Sequence, residues 1–121
     1  MTEQTLKFPT GHADVQALAD AATMTQTIKN TRTLIRRAGG FGQAVTGLSL
    51  LADQGLMIGS RVTVRIEQGA TGRNVTFGSA GSTIVAPVLT GVASDIDVID
   101  LEWDGSAFKA TTTWQKVVDA A

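Results

Sequence analysis

A strict two-residue alternation between Arg61 and Gln68 constrains the fold of this chain more than any other feature of its sequence. The apolar positions are Val62, Val64 and Ile66, and the polar positions are Arg61, Thr63, Arg65 and Glu67. Side chains of a β-strand point alternately to its two faces, so this pattern predicts a strand with one face in the core. The other face is then expected in solvent or against a second subunit.

The amino-acid composition indicates that the rest of the chain is also β-structure, so we expect an all-β fold. The 121 residues suit one domain of the usual size of roughly 100–200 residues. There are 13 glycines but only 2 prolines, which favours many tight turns, and the abundant β-branched threonines favour pleated strands. We therefore expect a β-sandwich or a β-barrel of about seven to eight short antiparallel strands.

The same composition argues against several classes of partner. The net charge of −1 argues against a general binder of nucleic acid or of anionic membranes. No apolar run approaches the roughly 18 residues of a membrane-spanning helix. Residues 1–4 lack the basic region that opens a secretion signal, so no such signal is expected.

Few side chains are suited to acid–base or metal chemistry. The chain has no cysteine, no tyrosine and a single histidine, His12, which has no partner at the spacing of a metal-binding motif. The glycines at 39–42 and 69–72 match neither a phosphate-binding loop nor the dinucleotide fingerprint. We therefore expect a protein that is not an enzyme, with no catalytic residue, no metal and no cofactor.

Residues 1–22 differ in pattern from the rest of the chain. Thr2 to Thr10 show no clear period, so a loose tail and an arm that docks on a neighbour both remain open. From Asp14 to Ala22 the apolar residues follow helical spacing, which predicts one short amphipathic helix. The expected division is an arm and helix in residues 1–22 and a β-sandwich domain in residues 23–121.

Further strands are predicted between the turns. One is expected from Thr25 to Arg36, and another covers Thr46 to Leu50. The alternation continues after a glycine-rich loop, so Arg61 to Gly78 is expected to form a β-hairpin. The stretch after Pro87 is expected at a sheet edge, because proline cannot donate a hydrogen bond to a ladder.

The strongest prediction is a hairpin near the C-terminal end of the sequence. Its turn is the dipeptide Asp104-Gly105, in which glycine tolerates positive φ and aspartate bonds to its own backbone. Asp97 to Trp103 forms the first predicted arm, and Phe108 to Trp114 forms the second.

The first arm of that hairpin is apolar on both faces. Ile99, Leu101 and Trp103 share one face, whereas Ile96 and Val98 belong to the other. Two explanations remain open at this point: a β-bulge that changes the parity, or a second subunit that covers the outer face.

Charged residues are separated along the sequence. The acidic run is Asp95, Asp97, Asp100, Glu102 and Asp104, and its spacing does not match a calcium-binding loop. The basic residues are Lys29, Arg32, Arg36, Arg37, Arg61, Arg65 and Arg73, with few of the interleaved aromatics that bind single-stranded nucleic acid. Opposite charges of this kind can meet across a subunit boundary. The predicted interface residues are Arg61, Arg65, Ile96, Val98 and Asp100.

Several short motifs in residues 25–115 resemble a module of tailed-bacteriophage virion proteins. They are Asn30-Thr31-Arg32-Thr33-Leu34-Ile35, Arg73-Asn74-Val75-Thr76-Phe77-Gly78, Ala86-Pro87-Val88-Leu89-Thr90 and the run from Asp95 to Gly105. Trp103 stands where the family often has tyrosine. The resemblance implies a jelly-roll-like antiparallel β-sandwich, commonly trimeric, of the kind found in capsid decoration proteins, head fibres and tail fibres, with no catalytic residues to transfer.

The small size of the chain favours a capsid decoration (cement) protein or head fibre within that family. Such a protein is expected to assemble as a homotrimer, to bind the major capsid protein and to stabilise the shell at the virion surface after synthesis in the bacterial cytoplasm. The predicted capsid-contact residues are Lys7, Phe8, Pro9, Val15 and Leu18.

The alternative function is a fibre-tip or adhesin module that recognises host glycans. Trp103 and Trp114, or the loops at 39–42 and 69–73, would then supply the sugar site. Packing of the two indoles in the core or across the strands is the favoured interpretation, because both belong to alternating apolar faces.

Overall fold

The computed structural model of the protein describes residues 14–78 and 81–117. Within these ranges the chain forms ten β-strands and no α-helix. The strands are β1 (Asp14–Ala17), β2 (Thr23–Ile28), β3 (Arg32–Arg37), β4 (Val45–Ala52), β5 (Arg61–Glu67), β6 (Val75–Phe77), β7 (Thr83–Val85), β8 (Ile96–Trp103), β9 (Ala107–Ala110) and β10 (Gln115–Lys116). The all-β prediction is therefore confirmed.

The first six strands alternate between two sheets. β1, β3 and β5 are consecutive neighbours in a seven-stranded sheet, and β2, β4 and β6 make up a three-stranded sheet. Every one of these neighbouring pairs is parallel, so each strand lies beside the strand two positions earlier in the chain. The chain therefore winds three times around a shared interior.

The last strands complete the seven-stranded sheet in antiparallel fashion. β8 pairs with β5 in an unbroken register from Arg61 opposite Glu102 to Glu67 opposite Ile96. β9 pairs antiparallel with the second part of β8, and β10 pairs with its first part. β7 lies at the far edge of the sheet, parallel to β9.

One hydrophobic cluster lies between the strands and draws on both sheets. The seven-stranded sheet contributes Ile35, Val62, Val64, Ile66, Ile99, Leu101 and Phe108, and the three-stranded sheet contributes Ile28, Val45, Leu48, Leu50 and Val75. All of these side chains are fully buried. Removal of their apolar surface from water is the main stabilising contribution that this fold offers.

The predicted helix at residues 14–22 is wrong. Residues 14–17 form β1, which pairs with β3. Val15 is 59% exposed and Leu18 is 3% exposed, so the two do not share a buried face as a helix would require. A short isolated helix has little stability of its own, because the cost of nucleating it is shared by few residues. Pairing with β3 therefore decides the conformation of this segment. Residues 14–18 thus belong to the β-structure and not to a separate arm.

The antiparallel pairing expected throughout is also wrong, because both sheets contain parallel pairs. The single strand predicted from Thr25 to Arg36 is two strands in different sheets, separated at residues 29–31. The hairpin predicted from Arg61 to Gly78 does not form, since β5 and β6 also belong to different sheets. In each case the chain passes to the other sheet after a strand instead of folding back beside it.

The predictions for β5, for the C-terminal hairpin and for its turn agree better with the structure. β5 has the predicted bounds to within one residue. β8 and β9 form the predicted hairpin, but its second arm ends at Ala110 and does not continue to Trp114. Gly105 has a φ of 100°, as the turn dipeptide implied. After Pro87 only an isolated bridge is present, between Leu89 and Val75.

Candidate functional site

The outer face of the seven-stranded sheet carries the residues predicted to form a subunit interface. The inward residues of β5 and β8 are the buried ones, so the intervening residues point to the opposite side. We call this side the outer face; its members on these two strands are Arg61, Thr63, Arg65, Glu67, Ile96, Val98, Asp100 and Glu102. The five predicted interface residues therefore lie together on neighbouring strands.

Apolar side chains occupy part of the outer face. The register places Arg65 opposite Val98 and Glu67 opposite Ile96. Val15 lies opposite Leu34 at the β1 end of the same face, and Val15 is largely exposed. Because the β5–β8 register is unbroken, a bulge does not account for Ile96 and Val98, and β8 is apolar on both of its faces.

The arginines of the outer face are paired with carboxylates of the same chain. Arg61 Nη2 lies 3.5 Å from Glu102 Oε1, and Glu67 Oε2 receives Arg36 Nη2 at 3.2 Å and Arg65 Nε at 3.3 Å. These pairs are partly exposed, so each contributes about 0–1 kcal/mol. The basic and acidic segments are thus adjacent strands of one sheet, and their charges already meet within the chain.

Asp100 is held firmly on the outer face. Its Oδ1 accepts a hydrogen bond from the Thr63 hydroxyl at 2.7 Å. Its backbone amide donates to the Thr112 hydroxyl at 3.2 Å, and its carbonyl accepts from the Thr111 amide at 2.8 Å. The carboxylate is therefore a structural part of the sheet surface.

The five predicted capsid-contact residues have different environments. Lys7, Phe8 and Pro9 lie outside the described residues. Val15 is available at the surface, whereas Leu18 is buried in the core and its amide donates to the Arg36 carbonyl at 2.9 Å. The side chain of Leu18 thus stabilises this domain and does not present a contact surface.

The burial of Asp97 was not predicted from the sequence, which indicated this residue only as a member of the acidic run. It faces inward on β8, is 8% exposed, and its Oδ2 has no hydrogen-bond partner within the described part of the chain. Burial raises the pKa of Asp97, the nearby Asp95 carboxylate adds to this effect, and Lys116 opposes it. An acidic residue at an inward position of an alternating strand is the signal that could have identified it.

Both tryptophans are packed against neighbouring rings. The Trp103 ring lies 4.8 Å from the Phe108 ring, centroid to centroid, and the Trp114 ring stacks on Phe77 at 6.1 Å. Trp114 Nε1 donates to the Pro87 carbonyl at 2.9 Å. The preferred packing interpretation of the indoles is therefore confirmed, although the two do not face each other across the hairpin.

The loops at 39–42 and 69–73 meet at one end of the molecule. A Cβ at Gly40 would collide with the Gly69 backbone, which shows how closely the two loops approach. The Asp20 carboxylate accepts the Gly42 amide at 2.8 Å, and the Arg37 guanidinium lies over the Phe41 ring at 5.3 Å. The Gly42 hydrogen bond is the main reason that the pKa of Asp20 is lowered.

A concavity of about 660 Å³ lies beside the three-stranded sheet. Hydroxyl groups are frequent in its lining, which contains Thr23, Thr25, Thr46, Ser49 and Thr83. Phe77, Met24 and Ile84 add apolar surface. The lining therefore combines hydroxyl groups with apolar side chains and one aromatic ring.

No cluster of three or more potential metal ligands occurs in residues 14–78 and 81–117. The same ranges contain no helix of the length and apolarity needed to cross a membrane. Comparison with known protein families finds no family model that matches the chain, and no curated protein matches it either.

Proposed function

We propose that this protein is a non-enzymatic structural component of a tailed-bacteriophage virion, a capsid decoration or head-fibre protein. It forms oligomers through the outer face and binds the major capsid protein at the capsid surface. The proposal starts from the sequence resemblance described above. The observation that carries it is β8, whose outer side chains Ile96 and Val98 are apolar although they lie on the exposed side of the sheet.

The outer face combines apolar and charged side chains, which favours an interface with a second copy over one that depends on charge alone. Non-obligate interfaces mix apolar and polar residues, with charged groups at the rim. Here Ile96, Val98 and Leu34 are surrounded by arginines whose charges are satisfied by Glu67 and Glu102. Paired charges cost less to bury than free ones, so these ion pairs reduce the cost of covering this face with a second copy.

We also infer that the two sheets pack face to face as a β-sandwich, the jelly-roll-like form that the resemblance implies. The shared cluster of buried side chains from both sheets supports two layers around one core. The parallel pairs are a departure from the antiparallel jelly roll.

Native mass in solution tests the oligomer. We expect light scattering to give three times the mass of the chain for the unaltered protein and a lower mass for Val98→Lys. Gln54→Lys, on an exposed turn away from the outer face, makes the same kind of change in charge and should leave the mass unaltered. Circular dichroism checks that both variants are folded. A monomer at all concentrations, or equal masses for both variants, contradicts this use of the outer face.

The virion assignment needs a separate test. Particles of a tailed phage whose genome encodes the chain should contain it in amounts proportional to the capsid subunits, measured by quantitative mass spectrometry. Its absence from pure particles, with the chain present in the lysate, contradicts the proposal whatever its oligomeric state.

The alternative function, binding of host glycans, is favoured by the hydroxyl-lined concavity and not by the packed indoles. A glycan array with the unaltered protein tests it directly. Specific binding that is lost in Thr25→Val, with an unchanged melting temperature, supports the alternative. Thr111→Val, on an exposed turn outside the concavity, is the matched control.

A further inference from the structure

The outer face of the seven-stranded sheet is positively charged, although the chain as a whole is not. The register places the arginines of β3 on this face, with Arg32 opposite Arg61 and Arg36 opposite Arg65. β9 adds Lys109, which lies opposite Glu102, whereas β1, β7 and β10 add only uncharged side chains. The charged members of the outer face are therefore five bases and three acids, namely Arg32, Arg36, Arg61, Arg65, Lys109, Glu67, Asp100 and Glu102.

These side chains divide the charge of the chain into two unequal parts. Five bases and three acids give the outer face a formal charge of +2, whereas the whole chain carries −1. The rest of the chain therefore carries a formal charge of −3. The molecule thus has a basic outer face and an acidic remainder.

The parallel pairing of β3 with β5 concentrates the positive charge. Arg32 and Arg61 are direct neighbours on adjacent strands, and so are Arg36 and Arg65, although like charges in such positions are unfavourable. Glu67 Oε2 contacts Arg36 at 3.2 Å and Arg65 at 3.3 Å, so two guanidinium groups share one carboxylate. The acids of the outer face therefore reduce its positive charge without neutralising it.

This excess of charge opposes a contact between two outer faces. Such a contact buries Ile96 and Val98 of both copies, but it also brings together two surfaces of charge +2. Charges at an interface lie closer together than the Debye length of about 8 Å at physiological ionic strength, so salt does not remove their repulsion. Like charges placed against each other disfavour an otherwise apolar contact.

A contact between the outer face and the acidic remainder of another copy has the opposite electrostatics. The two surfaces then carry charges of opposite sign, which favours association and fixes orientation. An interface between two different surfaces is heterologous, and interfaces of this kind close into rings. A three-fold ring requires such an interface, because a contact that uses the same surface on both copies ends at a dimer.

We propose that the outer face of one copy binds an acidic surface outside the outer face of the next copy, so that the oligomer assembles head to tail. This inference rests on the proposed function, because it names what the oligomer interface of that proposal contacts. The partner surface is thus defined by its chemistry: it carries an excess of carboxylates, and it belongs to a second copy of this chain.

Charge reversal at Arg32 distinguishes the two modes of contact. Arg32→Glu lowers the formal charge of the outer face from +2 to 0, which weakens a head-to-tail contact but strengthens a contact between two outer faces. We expect the dissociation constant from sedimentation equilibrium to rise at least about tenfold at low salt, with an intermediate value for Arg32→Gln. Lys29→Glu makes the same change in net charge on the exposed connection between β2 and β3, and it is the matched control. Its dissociation constant should stay within about twofold of the unaltered protein.

Two further measurements complete the test. Arg32→Glu places an opposite charge beside Arg61, so circular dichroism and the melting temperature should show a folded protein at least as stable as the unaltered one. Association of the unaltered protein should weaken as the salt concentration rises from about 50 mM to about 500 mM.

Three outcomes overturn the proposal. The first is association that is unchanged or tighter in Arg32→Glu, the second is an equal loss in Lys29→Glu, and the third is association of the unaltered protein that salt leaves unchanged or strengthens. A monomeric unaltered protein instead contradicts the oligomer of the proposed function, and with it this inference, before any variant is made. Absence of the chain from phage particles contradicts the virion assignment alone, so the failures are distinguishable.

Discussion

The seven-stranded sheet has a parallel part, β1, β3 and β5, and an antiparallel hairpin, β8 and β9, and their strands are connected in different ways. β1, β3 and β5 are parallel, and between each pair the chain crosses to the other sheet and returns. β8 and β9 are sequential neighbours joined by a tight turn at Asp104-Gly105. Hairpin pairing is decided by a few adjacent residues, whereas the parallel pairs depend on loops that connect the two sheets and on contacts between distant segments. The two parts nevertheless share one hydrophobic cluster.

The largest expected effect tests whether this shared core makes the two parts one cooperative unit. Phe108 belongs to the hairpin and Leu48 to the parallel winding, and both are fully buried. We expect Phe108→Ala to lower the free energy of unfolding by about 3–5 kcal/mol and Leu48→Ala by about 2–5 kcal/mol. Urea denaturation followed by fluorescence and by circular dichroism should give coincident single transitions for both variants. Two separate transitions would show that the parts unfold independently.

The next effect concerns the crossing loops of the parallel part. Gly40 has a φ of 74°, and a Cβ there meets the Gly69 backbone, whereas Gly39 has a φ of 82° with nothing within 4 Å. Gly40→Ala should therefore cost both backbone strain and a displacement of the neighbouring loop, about 2–4 kcal/mol in total. Gly39→Ala carries the strain alone, about 1 kcal/mol. Thermal unfolding measures the difference, and equal losses would contradict the close approach of the loops.

A smaller effect is expected at the turn of the hairpin. Asp104 Oδ1 accepts the amides of Ser106 at 2.8 Å and Ala107 at 2.7 Å, and these two bonds are the main reasons that the pKa of Asp104 is lowered. Asp104→Ala should lower the melting temperature by roughly 5 °C or less. Because the pKa is lowered in the folded protein, the ionised carboxylate stabilises the fold above its usual pKa, and this stabilisation is lost as the pH falls. An unchanged melting temperature at pH 7 would show that Gly105 alone specifies the turn.

The smallest effect is a pH dependence of opposite sign at Asp97, on the inner face of the same hairpin. Burial raises its pKa in the folded protein, so its contribution to stability is greatest below the unfolded pKa of about 4 and is lost as the pH rises through the folded value. Asp97→Asn should be roughly 1 kcal/mol more stable than the unaltered protein at pH 7, with the difference vanishing near pH 3. Denaturation at both pH values measures it. A destabilised variant at pH 7 would indicate that the ionised carboxylate is favourable.

The sequence indicated which side chains of β5 and β8 share a face, but not which strands are neighbours. The alternation in β5 and β8 was sufficient to place Arg65 and Val98 on one outward face, because side-chain parity is a local property of a strand. It did not show that Arg61 faces Glu102 within the chain, since the order of strands in a sheet is not encoded in either strand alone. The hydroxyl-lined concavity was missed for the same reason: its walls come from four strands and adjoining loops.

The sequence by itself determined the all-β class, the inward and outward residues of β5, and the turn at Asp104-Gly105. These depend on period, propensity and turn chemistry, which act over a few residues. Only the tertiary structure decided that residues 14–17 form a strand, that Leu18 is buried, and that β5 and β6 belong to different sheets. Those outcomes depend on which distant segments bury the most apolar surface while satisfying their backbone hydrogen bonds, and a local pattern is compatible with more than one such solution.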